Sequence, residues 1–428
     1  MTQSPGRLFA EEADIHIVVL GAGPAGAAAA IGLKRLGYRV TCISRPRRPV
    51  CIEGISERVY SALSGLGLST AMAHISKPVP RQVVWNGQVS ATNTERLVDR
   101  EHFDAGILDD LKAAGIAIIA DSIELFEHRD THPESVWQVK TGAGTVITAN
   151  FIVDARGRRA PHRQDGRLRG PESVAMSQFW QLADDSHQDA SVLAVALKNG
   201  WGWLVQDARG RVYTQLSLSA NRQALPSRGA EAKWIKSAFG ELLGAGSVLS
   251  TAKPLGKASF RGCTSILNAG VVTQNYLRIG DAAMAVDPLS GNGIFQSLSS
   301  ALVAPAVINT LIRRPEDAAL AQHFYEQRLE HLYMRFARIG RDFYRQMSGA
   351  DSCDYWQERE AWPDDELAHL DTDRILGVAR RPVVNNGFIE LAEVLLTHNQ
   401  PLGIWKVDGE SVVERYRQQQ SHIQGMNK

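Results

Sequence analysis

Four cysteines in 428 residues cannot organise a fold. Cys42, Cys51, Cys263 and Cys353 form no C-x-x-C pair and no His/Cys spacing suited to zinc, so neither a metal site nor a disulfide framework is expected. Charge of one sign is equally scarce. With 47 basic side chains against 46 acidic ones, the formal net charge is +1. That balance argues against a nucleic-acid partner held by phosphate neutralisation. No uninterrupted apolar run reaches bilayer length, and Met1 to Glu12 lacks the charged and apolar regions of a secretory signal. Internal repeats and low-complexity tracts are missing too. These absences predict a soluble, cytoplasmic protein without a membrane partner. The length exceeds what one hydrophobic core sustains, which predicts two joined domains.

The strongest positive signal is Ile15-His-Ile-Val-Val-Leu20 followed by Gly21-Ala-Gly23-Pro-Ala25-Gly26 and an alanine-rich run. An apolar strand meeting G-x-G-x-x-G before a helix is the dinucleotide fingerprint. Gly21 takes the tight turn, Gly23 admits a pyrophosphate and Gly26 lets helix and strand approach. Free N–H groups at the helix start, beside Ala25, then face the phosphates. A second strand, Tyr38 to Ile43, follows Gly37 and completes the βαβ unit. The acidic residue that usually closes this strand is replaced by Ser44-Arg45, so Ser44 offers one neutral hydrogen bond where a carboxylate is usual. From this stretch alone FAD and a nicotinamide remain equally open.

Further along, Arg45-Pro-Arg47-Arg48 reads as a solvated turn or a phosphate contact, and Glu53 as a helix-start charge or a site residue. Val59, Leu63 and Leu66 predict a helix ended by Gly67. Asn86-Gly87 between apolar residues is a hairpin signal. Asp99 is placed to cap a helix carrying Phe103, Ile107 and Leu111. Arg100 in its first turn opposes the helix dipole unless solvent or an anion compensates. Val136–Val139, Thr145–Ala149 and Phe151–Val153 read as a three-stranded meander. A basic run follows, from Arg156 to Arg169.

Residues 172–273 predict a separate antiparallel sheet, with strands at Val192–Leu197, Trp201–Val205 and Val212–Leu218. Alternation puts Trp201 and Trp203 on one face, either walling an aromatic site or filling a core. The helix around Trp234, Ile235 and Phe239 is expected on the other face. A second motif then appears. Tyr276-Leu-Arg-Ile-Gly280-Asp281 delivers a carboxylate at a strand end. Pro288 follows in a loop, and Gly291-Asn292-Gly293 opens a helix through Leu298, Leu302 and Val303. The dipole and free N–H groups there suit negative charge on a flavin ring. Beyond Pro305 the pattern is helical from about Pro315 to Arg345, and Phe388–Leu396 reads as a further helix.

With both motifs in view, the chain resembles FAD-dependent monooxygenases of the para-hydroxybenzoate hydroxylase type and the related tryptophan halogenases. The resemblance spans most of the sequence, including Val98-Asp99-Arg100…Phe103-Asp104 and Asp154 to Gly157. It implies an α/β fold: a Rossmann-like FAD-binding domain with a β-meander, interleaved with an antiparallel-sheet substrate domain and a helical C-terminal region. The corresponding segments are 1–80, 97–171 and 274–312, then 81–96 and 172–273, then 313–428. It implies FAD as cofactor with NAD(P)H as co-substrate. The FAD contacts it implies are Gly21, Gly23, Ala25, Gly26, Ser44, Arg45, Arg100, Asp281, Pro288, Gly291, Asn292 and Gly293. Arg156 stands where the family often has Asp.

The Trp-Gly-Trp element and the Pro-Leu-Ser-Gly-Asn-Gly variant are similar to a subgroup of halogenase-like flavoproteins. Members of that subgroup hydroxylate a peptidyl tryptophan during maturation of the cysteine tryptophylquinone cofactor of quinohemoprotein amine dehydrogenase. The resemblance thus implies a protein or peptide substrate carrying a tryptophan, with Glu53, Trp203 and Pro288 as candidate catalytic residues. Halogenases of this type carry a lysine shortly after the segment that here starts at Glu53. No lysine lies between Lys34 and Lys77, and Tyr60 falls near that place. The rival activities are halogenation, small-molecule aromatic hydroxylation, reduction of isoprenoid double bonds, and a non-catalytic flavoprotein chaperone.

Overall fold

A computed structural model describes residues 15–45, 51–131, 134–161, 167–182, 189–207, 210–221, 225–243, 248–347, 353–369 and 372–426. The N-terminal residues read for a signal, Arg47, Arg48 and Arg163 lie outside them.

The strand His16–Leu20 is buried along its whole length because both its faces are covered. It is the centre of a five-stranded parallel sheet in the order Tyr276–Arg278, Phe151–Asp154, His16–Leu20, Arg39–Ile43, Ala117–Ile119. The helix Pro24–Arg35 follows the glycine loop and packs on the core helix Gly293–Arg313. Contact is tight at Gly32, where an added Cβ would meet Pro305 Cγ at 2.5 Å. Pro305 therefore lies inside that helix and not before it. The core helix is long and apolar enough to cross a bilayer, but it is largely buried inside the protein, which is what its apolar composition serves here.

The second large sheet has eight strands. Their order is Lys253–Gly262, Ser173–Gln181, Val212–Ser219, Gly200–Gln206, Ser191–Leu197, Ile75–Trp85, Gln88–Asp99 and Ile52–Ile55. Only the join between Ser191–Leu197 and Ile75–Trp85 is parallel. Asn86 and Gly87 make the expected turn, both with positive φ (49° and 70°). One face of this sheet is covered by the helix Glu231–Leu243 through Ile235 and Phe239, as the pattern predicts. Phe239 fills the space that a side chain at Gly202 would need, at 2.6 Å from its Cβ position.

Two expectations are corrected. Phe151–Asp154 is not the third strand of the meander: it is fully buried and pairs with His16–Leu20 in the parallel sheet. The meander's missing strand is Ile123–Thr131, which pairs with Glu134–Thr141. Phe388–Leu396 is not helical either. Ile375–Asn385 and Phe388–Thr397 form an antiparallel hairpin that turns at Asn386-Gly387, again with positive φ (45° and 79°). The same Asn-Gly signal that specifies the first hairpin outweighs the helix-like apolar spacing here. Core contacts fix the hairpin. Asn309 donates to Gly387 O at 2.8 Å, and Ile389 N donates to Thr310 Oγ1 at 2.8 Å. The C-terminal region therefore mixes the long helix Ala318–Arg345, this hairpin and the helix Val412–Met426.

Candidate flavin site and its aromatic wall

The glycine loop has the geometry its spacing predicts. Gly21 has φ of +102°, and a Cβ there would lie 2.6 Å from Ala155 O. At Gly26 a Cβ would lie 1.9 Å from Gly21 O, so helix and strand touch through bare backbone. Gly23 is different: nothing lies within 4 Å of its Cβ position. The loop is thus closed towards the protein and open on the ligand side. The first helical hydrogen bond runs from Ala27 N to Gly23 O at 2.9 Å, which leaves the earlier N–H groups of Ala25 and Gly26 at the helix start for an anion.

The second motif lies directly against the first. Gly280 has φ of +58°, and a Cβ on it would lie 2.9 Å from Ala25 Cβ. Asp281 follows, its Oδ1 accepting from Ser297 Oγ at 3.1 Å and its Oδ2 lying 3.5 Å from Arg158 Nε. Its side chain keeps 35% of its exposure, so the carboxylate is still accessible to a polyol. Pro288–Ser290 forms a single helical turn capped by Asp287, whose side chain accepts from Leu289 N at 2.9 Å. Gly291 adopts a left-handed conformation, and Asn292 stands at the N-cap position of the core helix with its side chain donating to Ser290 O, which leaves the helix-start N–H groups uncapped by it. Phosphate loop, carboxylate and helix start therefore form one continuous cradle.

Other expected contacts are placed less directly. Ser44 is half-buried and its N–H donates to Ile119 O at 3.0 Å, while Arg45 is exposed. Arg100 is buried. Its Nη1 donates to Glu53 at 2.9 Å, and its Nε and Nη2 donate to Asp104 at 2.9 and 3.1 Å. Burial works against the guanidinium charge, but Glu53 and Asp104 more than offset it and the pKa is raised. The charge in this helix's first turn is thus balanced by carboxylates of the chain itself. Glu53, expected as a catalytic candidate, holds Arg100. Asp99 caps the helix as expected, accepting from Glu101 N.

The basic run after Asp154 is also largely satisfied internally. Arg156 pairs with the buried Asp154 at 2.7 Å, Arg158 reaches Asp281, and Arg169 pairs with Glu172 at 2.7 Å.

On the sheet face opposite the Glu231–Leu243 helix, Trp201 and Trp203 join Tyr213, Tyr344, Tyr355 and Trp356 in one buried cluster. Leu289, from the turn beside Pro288, packs against it. The rings meet mostly edge to face. Trp356 contacts Trp85 with centroids 5.6 Å apart and Tyr355 at 5.2 Å, and Tyr344 lies 6.1 Å from Tyr355.

Two carboxylates border this wall. Asp287 Oδ1 accepts from Tyr344 O–H at 2.9 Å, and Glu95 Oε1 accepts from Trp203 Nε1 at 3.1 Å. Burial pushes both carboxyl groups above the usual range. Glu95, Tyr344, Tyr355 and Trp356 carry no motif that marks them in the sequence. Asp287 sits within the second motif and is within reach there, whereas the others meet only through folding.

Residues 14–332 match the family described as FAD binding domain. The chain belongs to this flavoprotein family. The flavoprotein is 23% identical over 377 residues to tryptophan 2-halogenase of Chondromyces crocatus, covering 82% of this chain and 71% of the relative. It is 27% identical over 323 residues to menaquinone reductase of Mycobacterium tuberculosis, covering 69% and 76%. Among solved structures it is 43% identical to the peptidyl tryptophan dihydroxylase QhpG, described as essential for tryptophylquinone cofactor biogenesis. That match covers 96% of this chain and 93% of the other with a TM-score of 0.80. The flavin-dependent halogenase CmlS shares the fold at 17% identity and a TM-score of 0.75. The flavoprotein is an FAD-dependent oxidoreductase of the monooxygenase and halogenase group.

Proposed function

We propose that this flavoprotein is a monooxygenase that uses NAD(P)H and O2 to hydroxylate the indole of a tryptophan carried in a protein or peptide. The observation that carries the reading is the match to the peptidyl tryptophan dihydroxylase at 43% identity over nearly the whole of both chains. The buried aromatic cluster of Trp203, Tyr213, Tyr344 and Trp356 packs through Leu289 against the Pro288 turn and backs the flavin cradle.

FAD, when bound, supplies the activation of O2. Gly21, Gly23, Ala25, Gly26 and Asp281 would hold it, with Pro288 and Gly291 to Gly293 beside its ring. The protein's own residues then have three tasks. The buried aromatic cluster behind the Pro288 turn excludes water from that side of the cradle and holds the turn rigid. Core-helix N–H groups near Gly293 stabilise negative charge at the helix start. Asp287 or Glu95 in its carboxylate form can accept the ring proton that leaves when oxygen replaces it, and because burial raises both pKa values this role is lost as the pH falls. An electron-rich indole needs little further activation. The lack of a lysine between Lys34 and Lys77 favours oxygen insertion over halogenation. Tyr60, near the expected lysine position, is instead covered by the Arg96 guanidinium at 4.0 Å.

Incubating the FAD-loaded protein with tryptophan peptides, NAD(P)H and O2 tests the reading. Peptide products heavier by one or two oxygen atoms support it. Chloride-dependent chlorination, or hydrogenation of an isoprenoid quinone without peptide oxidation, favours the corresponding rival.

A further inference from the structure

A cavity of about 530 Å³ lies away from the flavin cradle, between the core helix, the long helix Ala318–Arg345, the C-terminal hairpin and residues 400–406. Val303, on its wall, is ten residues along the core helix from Gly293, roughly 15 Å at helical rise. The volume is in the range that holds a small ligand.

Its lining combines two chemistries. Phe324, Val384, Leu402 and Trp405 make apolar walls, while Arg328, Arg381 and Lys406 bring three cationic side chains and the lining includes no acidic one. Arg328 is the telling residue. Its Nη2 donates to Ser299 Oγ at 2.9 Å, but its Nε is buried without a hydrogen-bond partner. Among the described residues no carboxylate pairs with Arg328, Arg381 or Lys406. Lys406 Nζ lies 4.1 Å over the Trp405 ring. Burial lowers the pKa of Arg328, so the fold desolvates a cation there without supplying its counter-charge. The same positive field reaches His331, whose pKa is lowered by burial and by Arg335, Arg328 and Arg338.

An anion in the cavity would supply the counter-charge that Arg328 lacks and offset that cost, and the apolar walls require that the anion carry an apolar body. We propose that this cavity binds a small amphipathic organic acid, a carboxylate on an aliphatic or aromatic body, at a site separate from the flavin. Arg328 forms the charge-assisted hydrogen bond to the carboxylate, with Arg381 and Lys406 adding to the field.

Calorimetric titration of the FAD-loaded full chain with octanoate tests this. Saturable binding near one equivalent is expected, with octanol binding about tenfold more weakly or worse. R328Q should weaken octanoate binding by a similar factor. V384W, which fills the cavity from a partly exposed wall position without altering charge, should abolish it. Both variants should keep the flavin absorbance and circular dichroism of the parent. If R328Q fails to fold, V384W and the octanol comparison still decide. The proposal is overturned if octanoate shows no saturable binding, if octanol binds equally well, or if V384W binds octanoate like the parent.

Discussion

The phenolic O–H of Tyr344 donates to Asp287 Oδ1 at 2.9 Å, joining the long helix to the turn that carries Pro288. Tyr344 also packs in the buried aromatic cluster, so one side chain links the Pro288 turn to that core. Replacing it by Phe keeps the ring and leaves a buried carboxyl with one donor fewer. Y344F should cost about 1–3 kcal/mol of stability. Because that hydrogen bond lowers the Asp287 pKa, losing it should raise the pKa further. A pH–rate profile should then show its acidic limb displaced to higher pH. An unchanged profile together with unchanged thermal stability would remove Asp287 and Tyr344 from the working site.

Gly23 and Gly26 separate binding from folding. Gly23 has φ of −74° and ψ of −174°, which alanine adopts freely, and among the described residues beyond its chain neighbours no atom lies within 4 Å of its Cβ position. G23A should leave the apoprotein's melting temperature unchanged while weakening FAD binding by about tenfold or more, since the methyl group occupies the phosphate approach. G26A places a Cβ 1.9 Å from Gly21 O and should impair folding itself. Flavin fluorescence titration beside thermal unfolding of the apoproteins reads both effects.

Asp281 faces an accessible region with Ser297 and Arg158 at its back. D281A removes a charge-assisted acceptor, worth roughly 1.5–3 kcal/mol in FAD retention. Equilibrium dialysis should show that loss. Retention equal to the parent would contradict the assignment of Asp281 to the cradle.

The buried thiol of Cys42 sets an alkaline limit on stability. Burial pushes its pKa from 9.0 to about 12. The folded state therefore keeps a proton that the unfolded state releases above pH 9. Its stabilising contribution is complete below the unfolded pKa and is lost as pH rises towards 12, at about 1.4 kcal/mol per pH unit. Cys263, equally buried and pushed up to about 12, adds to this loss in the parent, so denaturant titrations between pH 9 and 10.5 should show a steeper slope that C42A flattens by the Cys42 share, up to about 1.4 kcal/mol per pH unit. Identical slopes in the two proteins would contradict the burial-driven shift.

Legibility in the sequence followed the range of the interactions involved. The glycine loop, the Gly67 helix stop, the Asp99 cap and the Asn86-Gly87 turn depend on residues within a few positions, and each was readable. The same turn at Asn386-Gly387 was passed over because apolar residues after it also fit a helix. Phe151–Asp154 was assigned to the wrong sheet because a short apolar strand does not specify its neighbour. Arg100 is balanced partly by Asp104, an i,i+4 neighbour within reach of the sequence, and partly by Glu53, 47 residues away, which only the fold brings to it. Glu95 meets Trp203 across 108 residues, and Trp356, on the short helix Asp354–Glu360, meets Trp85 from far along the chain. The aromatic pair Trp201 and Trp203 could be put on one face, but what faced it required the fold.

The measurement that bears most directly on the central claim is mass spectrometry of a tryptophan-containing peptide after reaction with FAD-loaded protein, NAD(P)H and O2. The account predicts one or two added oxygen atoms located on the indole, with no such gain for free tryptophan and no chlorinated product when chloride is present. Equal turnover of free tryptophan and unrelated peptides, or chlorination of the indole, would contradict it.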